Sequence, residues 1–316
     1  MAKASDFEGK KQDELFYFVD YSPEEAERVG YSNYSYWGSV IQNFLKQKVA
    51  VFCLILFLAL SVFSFIALAI GKYDYTTLIS DTSKAFIKPN SEYWFGTDNL
   101  GRDYWCQVWY ATQVSIRLAL IVAVGESILG VIIGLIWGYV RKLDRFFTEL
   151  YNICDNIPST IILILISYVA SPSIKTLILG MSIKGWIEMA RFIRNQILII
   201  RDRDYNVASR CIGTPTVRIV LRNLLPYLVS VIMLRMALTI PEAIGNEVFI
   251  TYIGLGLSVE TPSLGNLVND GRKVMMQAGL RYQLLYPTLI LSFVTIAFYL
   301  IGNAFSDAAD PKNHMQ

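Results

Sequence analysis

The stretch Arg201-Asp-Arg-Asp-Tyr-Asn-Val-Ala-Ser-Arg-Cys-Ile-Gly213-Thr-Pro-Thr-Val-Arg-Ile-Val-Leu-Arg-Asn223 is a polar, arginine-rich segment between two apolar ones. Asp204 can cap a helix of about two turns, and Gly213 stands where a left-handed residue would end it. Thr214-Pro215 reads as a cap followed by proline at the first position of a second helix. On the first helix, Val207 and Ala208 share a face with Cys211 and Ile212. A short helix, a glycine corner and a second helix running into apolar sequence make a protruding knuckle. Two readings fit it. The knuckle docks in a groove of a partner, or its arginines only fix topology across a membrane.

On both sides of this stretch the chain is a string of bilayer-length apolar runs. Val49 to Gly71 carries no charge and is long enough to cross about 30 Å of hydrocarbon. Leu118 to Val140 is interrupted only by Glu126, and Asn156 to Ile174 is uncharged with Pro158 and Pro172 near its ends. Thr176 to Ala190 is the weakest, holding Lys184 and Glu188. Leu224 to Val248 carries Arg235, Glu242 and Glu247, and Leu284 to Ser306 is uncharged. Lipid offers backbone groups no partner, so each run is expected to be a helix. The expectation is an all-α polytopic membrane protein with six transmembrane helices.

Its parts are then residues 1–48, a cytoplasmic tail with an interfacial helix over 39–48; 49–71, the first span; 72–111, an extracellular loop; 112–306, a five-helix core including the loop 201–223; and 307–316, a cytoplasmic tail. The tail before the first span holds eight acidic residues from Asp6 to Glu27, unlike a cleavable signal. Charge sets the orientation. Loops 141–156 and 191–222 hold ten basic residues in 48, and loops 72–111 and 249–282 hold seven in 74. The positive-inside rule puts the first pair, and both termini, in the cytoplasm.

Composition excludes other classes. The chain has 316 residues, 54% hydrophobic and 17% charged, with a net charge of +2. That balance is neither disordered nor suited to binding nucleic acid through bulk charge. Cys53, Cys106, Cys154 and Cys211 have no CxxC spacing, and the single histidine is His314. No metal site and no catalytic residues are expected. There is no GxxxxGK[ST] sequence, so this chain does not cradle ATP phosphates in a P-loop.

The 201–223 stretch resembles the coupling motif of ABC importer permeases, Glu-Ala-Ala-three-Gly. Asp204-Tyr205, Ala208, Arg210 and Gly213 occupy its places, followed by Arg218-Ile219 and Leu225-Pro226. Phe95-Gly-Thr-Asp-Asn-Leu-Gly-Arg-Asp103 looks like the segment before the second span of C-type subunits of oligopeptide and dipeptide importers. Gly138-Tyr139 with Asp144, Ile157-Pro158-Ser159, Trp186 with Ala190-Arg191 and Arg194 also match, in order. So do Glu247, Tyr252-Ile-Gly-Leu-Gly256, Pro262-Ser263, Gly265, Asp270-Gly271-Arg272 and Asp307-Ala308-Ala309-Asp310-Pro311. Departures are Val207 for the usual glutamate, Ser209 for the second alanine, Asn223 for a histidine, Tyr227 for an asparagine, Arg141-Lys142 for Gly-Gly and Ala278-Gly279 for Pro-Trp.

The resemblance implies a type I ABC importer permease core. It implies a second, B-type permease subunit, two P-loop ATPase subunits and an extracellular peptide-binding protein. ATP and magnesium would sit on those partners, with no cofactor on this chain. Coupling to the ATPases would run through Asp204, Tyr205, Val207, Ala208, Arg210, Ile212 and Gly213. The cargo implied is peptide, with nickel or another small solute as the alternative for the same machine.

Charges within spans cost about 2.5–3.5 kcal/mol on insertion scales and therefore face protein or water. Glu126 and Arg235 either line the translocation path, form an interhelical ion pair, or contact the partner permease. Glu242 follows Pro241, where a broken helix would free carbonyls and could serve a gate. A different class of protein, a secondary transporter or channel working alone, would use Glu126 at mid-membrane. Glu247 is expected to tie the end of its span to the next loop.

Overall fold

The computed structural model describes residues 36–71, 82–171, 173–257 and 261–309. The acidic tail before residue 36, loop residues 72–81, Pro172 and the last residues with His314 lie outside them. The chain divides after Gly38 into two units, and the helices of the second, Ser39–Gln316, form the core. Among the described residues all regular structure is helical, apart from one isolated bridge between Thr97 and Asp103.

Helix α1, Tyr36–Lys46, is amphipathic and buries Val40 and Phe44, the latter against Phe305. After Gln47, whose amide donates to the Ala304 carbonyl, α2 runs over Lys48–Ile70. It is apolar all round, and most of its surface is exposed, as for a helix bathed in lipid. Helix α3, Tyr104–Tyr139, is 36 residues, about 54 Å at helical rise. It begins well before the expected Leu118, because the Asp103 carboxylate caps it by accepting from the Cys106 N–H. The polar residues of its first turns (Gln107, Thr112, Gln113, Ser115) are buried by neighbours and so do not break it.

The expected loop 141–156 is instead helix α4, Arg141–Asp155, and α5 is Ser159–Val169. The two are bent by 72° at Asn156-Ile157-Pro158, where proline removes a backbone donor. The third expected span, Asn156 to Ile174, therefore shrinks to α5. Helix α6, Ile174–Ile200, absorbs ten residues beyond Ala190 that the charge pattern assigned to a loop. Its arginines are neutralised by α4: Arg194 is bidentate on Asp144 (2.8 and 3.0 Å), and Arg191 lies over the Tyr151 ring at 4.0 Å.

Helix α7 is Asp204–Cys211. Helix α8, Thr216–Ile219, passes through a π-turn at Val220–Leu224 into α9, Leu225–Tyr252. Helix α9 is continuous through Pro241, so the broken helix expected before Glu242 is absent. Helix α10, Leu264–Val274, lies within the expected loop 249–282, and α11 is Tyr282–Ala309. Among the described residues, four helical runs are long and apolar enough to span a membrane: α2, α3, Thr216–Tyr252 and α11. The bent α4–α5 pair makes up to a fifth, and α6, 27 residues long, is too charged to qualify on composition.

The α3–α6 seam organises the core. Glu126, Gly130, Gly134 and Gly138 form one i, i+4 ridge on α3, facing Gly185, Met189, Ile193 and Ile197 on α6. Large residues meet small ones at every level. A Cβ on Gly130 would lie 2.5 Å from Met189 side-chain carbons, and one on Gly138 would lie 2.8 Å from Ile193's neighbour on the ridge, Ile197. The helices approach this closely because the glycines lack side chains, the usual device for helix packing in lipid.

At the end of the core opposite the knuckle, Phe95–Asp103 is a compact buried turn. Gly96 (φ +74°) and Gly101 (φ +78°) have the left-handed conformation expected of turn glycines. Asp98 accepts from the Leu100 and Arg102 N–H groups, the Arg102 guanidinium and the Gln107 amide. Phe95 stacks on Tyr286 (4.1 Å), and Trp105 donates to the Ala67 carbonyl (3.0 Å). Glu247 is fully buried and accepts from Ser263 and Thr251, and Ser263 in turn caps α10. Glu247 thus ties α9 to the segment that follows it.

Candidate functional site: a projecting knuckle and a charged cavity

The knuckle is built as the glycine corner demanded, one residue out of register at its second helix. Gly213 has φ +82°; its N–H donates to the Arg210 carbonyl and the Thr214 N–H to the Ser209 carbonyl. That bond pair is a Schellman ending, which closes the helix and reverses the chain. Two capping expectations are corrected. Arg203 is the cap of α7 and Asp204 its first residue, and no side chain caps it. The second helix starts at Thr216 with Pro215 as its cap, since proline's fixed φ suits the turn there and Thr214 still belongs to the corner.

Tyr205, Val207, Ala208, Arg210, Ile212 and Gly213 are all on the surface or partly exposed. Ile212 is 85% exposed at the tip, and Val217 and Leu221 continue an apolar surface along the next helix. Stranding this much apolar side chain on a polar loop leaves it for a partner to cover.

The anchor of the knuckle is Asn206, a residue absent from the sequence expectations. It is fully buried; its amide donates to the Ile200 carbonyl (2.9 Å) and its Oδ1 accepts from Asn223 (3.0 Å). Asn223, which replaces the usual histidine, also reaches the Ser209 hydroxyl at 3.4 Å. The departures at 209 and 223 are thus partners in one network joining α7 to the end of α6 and the start of α9. Asp202 adds a charged joint, pairing with Arg210 (3.1 Å), Arg201 (3.2 Å) and Arg141 (3.4 Å). Slight burial raises the Asp202 carboxyl, but hydrogen bonds from Arg210 and Arg201 outweigh it and hold it below its ordinary value. Arg201 also donates to the Gly138 carbonyl (2.9 Å), linking the joint to the last glycine of the α3 ridge. Replacing Asn206 by leucine should strand the Ile200 carbonyl and the Asn223 amide, at roughly 1–3 kcal/mol. Trypsin cleavage at Arg203 and Arg210 of the purified chain should then be faster by about tenfold.

The second feature is a cavity among α3, α5, α6 and α9. Glu126, Ser127, Ser159, Lys184, Glu188, Arg235, Thr239, Glu242 and Asn246 supply its polar lining. Glu126, Arg235 and Glu242 are thus brought to one place, joined by Lys184 and Glu188. Of the alternatives for Glu126 and Arg235, the direct ion pair between them is not formed among the described residues. Arg235 pairs with Glu188 at 3.5 Å, because α6 presents Glu188 to α9 while Glu126 lies against Gly185. Lys184 donates to the Ile157 carbonyl (2.9 Å) and stands 3.9 Å from both Asp155 and Glu188. Glu242 is exposed on α9, and an exposed carboxylate in the middle of an apolar helix does not face lipid. Among the described residues no group of three His, Cys, Asp or Glu is placed to hold a metal ion.

Residues 130–314 match the family described as binding-protein-dependent transport system inner membrane component. Residues 35–89 match the N-terminal TM domain of oligopeptide transport permease C. The chain is 38% identical to the oligopeptide transport system permease protein AmiD of Streptococcus pneumoniae, over 95% of this chain and 98% of that one. It is 31% identical to the dipeptide transport system permease protein DppC of Bacillus subtilis (95% and 93%), and 30% identical to the oligopeptide transport system permease protein OppC of the same organism (91% and 93%). Among solved structures, inward-facing crystal forms of the MetNI methionine ABC transporter superpose with TM-scores of 0.51 and 0.52 at 17% identity. They cover 63% of this chain and 96% and 94% of theirs, a likeness of fold.

Proposed function

The chain belongs to the family of binding-protein-dependent transport system inner membrane components, and on that premise we propose that it is one of two permease subunits of an ATP-driven peptide importer. It is a multi-pass membrane protein and carries no P-loop of its own. In this reading it sits in a bacterial cytoplasmic membrane with six spans, the bent α4–α5 pair and α6 supplying the third and fourth, and with both termini inside. A B-type permease completes the path, two ATPase subunits hold ATP and magnesium, and an extracellular binding protein delivers peptide.

The observation that carries the reading is the knuckle. Helix α7 ends in a closed glycine corner with Ile212 at its tip, and the corner feeds into a helix that runs unbroken into the membrane core. An ATPase seated on Tyr205, Val207, Ala208 and Ile212 would grip a lever fixed by Asn206 to α6 and α9. Arg201 would pass its movement to the α3–α6 pair. ATP-driven closure of the ATPases then rocks the two permeases between inward-open and outward-open states. With Val207 in place of the usual glutamate, the seat relies on shape and apolar contact rather than on that residue's charge.

The test is uptake of radiolabelled trialanine by proteoliposomes holding the purified assembly and its binding protein. Uptake should require ATP inside the vesicle and stop when the ATPase subunits are stripped. Uptake that persists without them, driven by an ion gradient, would contradict the reading, and nickel uptake in place of trialanine would correct the cargo.

A further inference from the structure

The geometry points to Glu126 as a cation-binding subsite of the translocation path, one that takes the α-ammonium group of the peptide in transit. The inference rests on the peptide-importer reading and adds a named contact to it. Glu126 is 8% exposed, and among the described residues no basic nitrogen lies within 4 Å of its carboxylate. A carboxylate this deep in a membrane core stays ionised only beside a countercharge.

Neither base on the cavity wall is in direct ion-pair contact with it. Lys184 is committed to the Ile157 carbonyl, Asp155 and Glu188, and Arg235 to Glu188. The wall holds three carboxylates (Glu126, Glu188, Glu242) and two cations (Lys184, Arg235), so it is one positive charge short. Glu126 also has a defined place on the α3–α6 seam. It tops the ridge of Gly130, Gly134 and Gly138, and Gly185 opposite leaves room for its carboxylate to sit against the α6 backbone.

The chemistry around it narrows the ligand. Ser127, Ser159, Thr239 and Asn246 line the same cavity. These neutral groups donate and accept hydrogen bonds, the complement of a peptide main chain. An α-ammonium is common to every free peptide whatever its side chains, so one carboxylate can serve a varied cargo. The alternative occupant is a basic side chain of the second permease reaching into the cavity.

The experiment compares Glu126→Gln and Glu126→Asp with the unaltered chain in the reconstituted importer, at saturating trialanine-loaded binding protein. The receptor's own preference then drops out. ATP-driven trialanine uptake should fall at least tenfold in E126Q, while receptor-stimulated ATP hydrolysis stays within twofold. E126D should keep at least a third of the uptake. Unchanged uptake in E126Q overturns the subsite. So does a loss of the second permease from the purified E126Q complex, which would make Glu126 its countercharge. A parallel fall in hydrolysis with the complex intact also overturns it, because Glu126 would then act on the machine's movement. If the unaltered importer moves no trialanine, the peptide-cargo reading fails, and the subsite with it.

Discussion

Gly134→Leu will unseat α3 from α6 and lower the melting temperature of the purified chain by about 5–10 °C, the overpacking of a tight core costing roughly 1–3 kcal/mol or more. The reason is local. A Cβ at 134 would lie 2.7 Å from the Ala190 carbonyl oxygen and 2.7 Å from the Ile193 Cβ. A backbone carbonyl inside a helix cannot swing away, so the two helices must part. Parting them also pulls Glu126 from Gly185 two levels above and Gly138 from Ile197 one level below. Gly125 is the control. It faces open space, so Gly125→Ala should leave the melting temperature unchanged or raise it slightly through better helix propensity. Equal melting of the Gly134→Leu and unaltered chains would show that the ridge is not the seam of the core.

Gly213→Val will cost the assembly its ATPase subunits. At φ +82°, a side chain is disfavoured by about 1–2 kcal/mol, and a β-branched one by more. Nothing lies within 4 Å of a Cβ built there, so the cost is purely that of the backbone. The Schellman bonds of Gly213 and Thr214 must open, and α7 loses its aim. ATPase recovered with the tagged chain should fall about tenfold, as expected for roughly 1.4 kcal/mol. The melting temperature of the chain itself should hold, since the corner projects from the core. Gly213→Asn should do less harm, because asparagine tolerates the left-handed region. Full ATPase recovery with Gly213→Val would mean that the corner does not set the docking geometry.

How far the chain could be read beforehand follows from where its charges go. Helices α2 and α11 and the apolar parts of α3 and α9 were legible, since an uncharged run in lipid has only one backbone solution. Helix α6 was the weakest reading. Its Lys184, Arg191 and Arg194 are neutralised by groups on α4 and the following turn, and pairing across helices leaves no mark on hydropathy. A charge count for topology reads α4 as a loop, although Phe147, Tyr151 and Cys154 recur at helical spacing. The glycine corner was legible because few residues other than Gly213 suit a positive φ. Asn206 was not, since an asparagine in a polar loop looks the same whether exposed or pinned. The Gly130, Gly134 and Gly138 spacing was present to be read, and with it the close approach that puts Glu126 against Gly185.

The central claim is that this chain moves cargo only when coupled, through residues 204–213, to ATPases it does not itself contain. The most direct measurement is to tag the chain, extract it from its native membrane in a gentle detergent, and identify and count what co-purifies. The account predicts one second permease and two P-loop ATPase subunits per tagged chain, with the ATPases lost in Gly213→Val. Recovery of the chain alone, in a form that still transports after reconstitution, would contradict it.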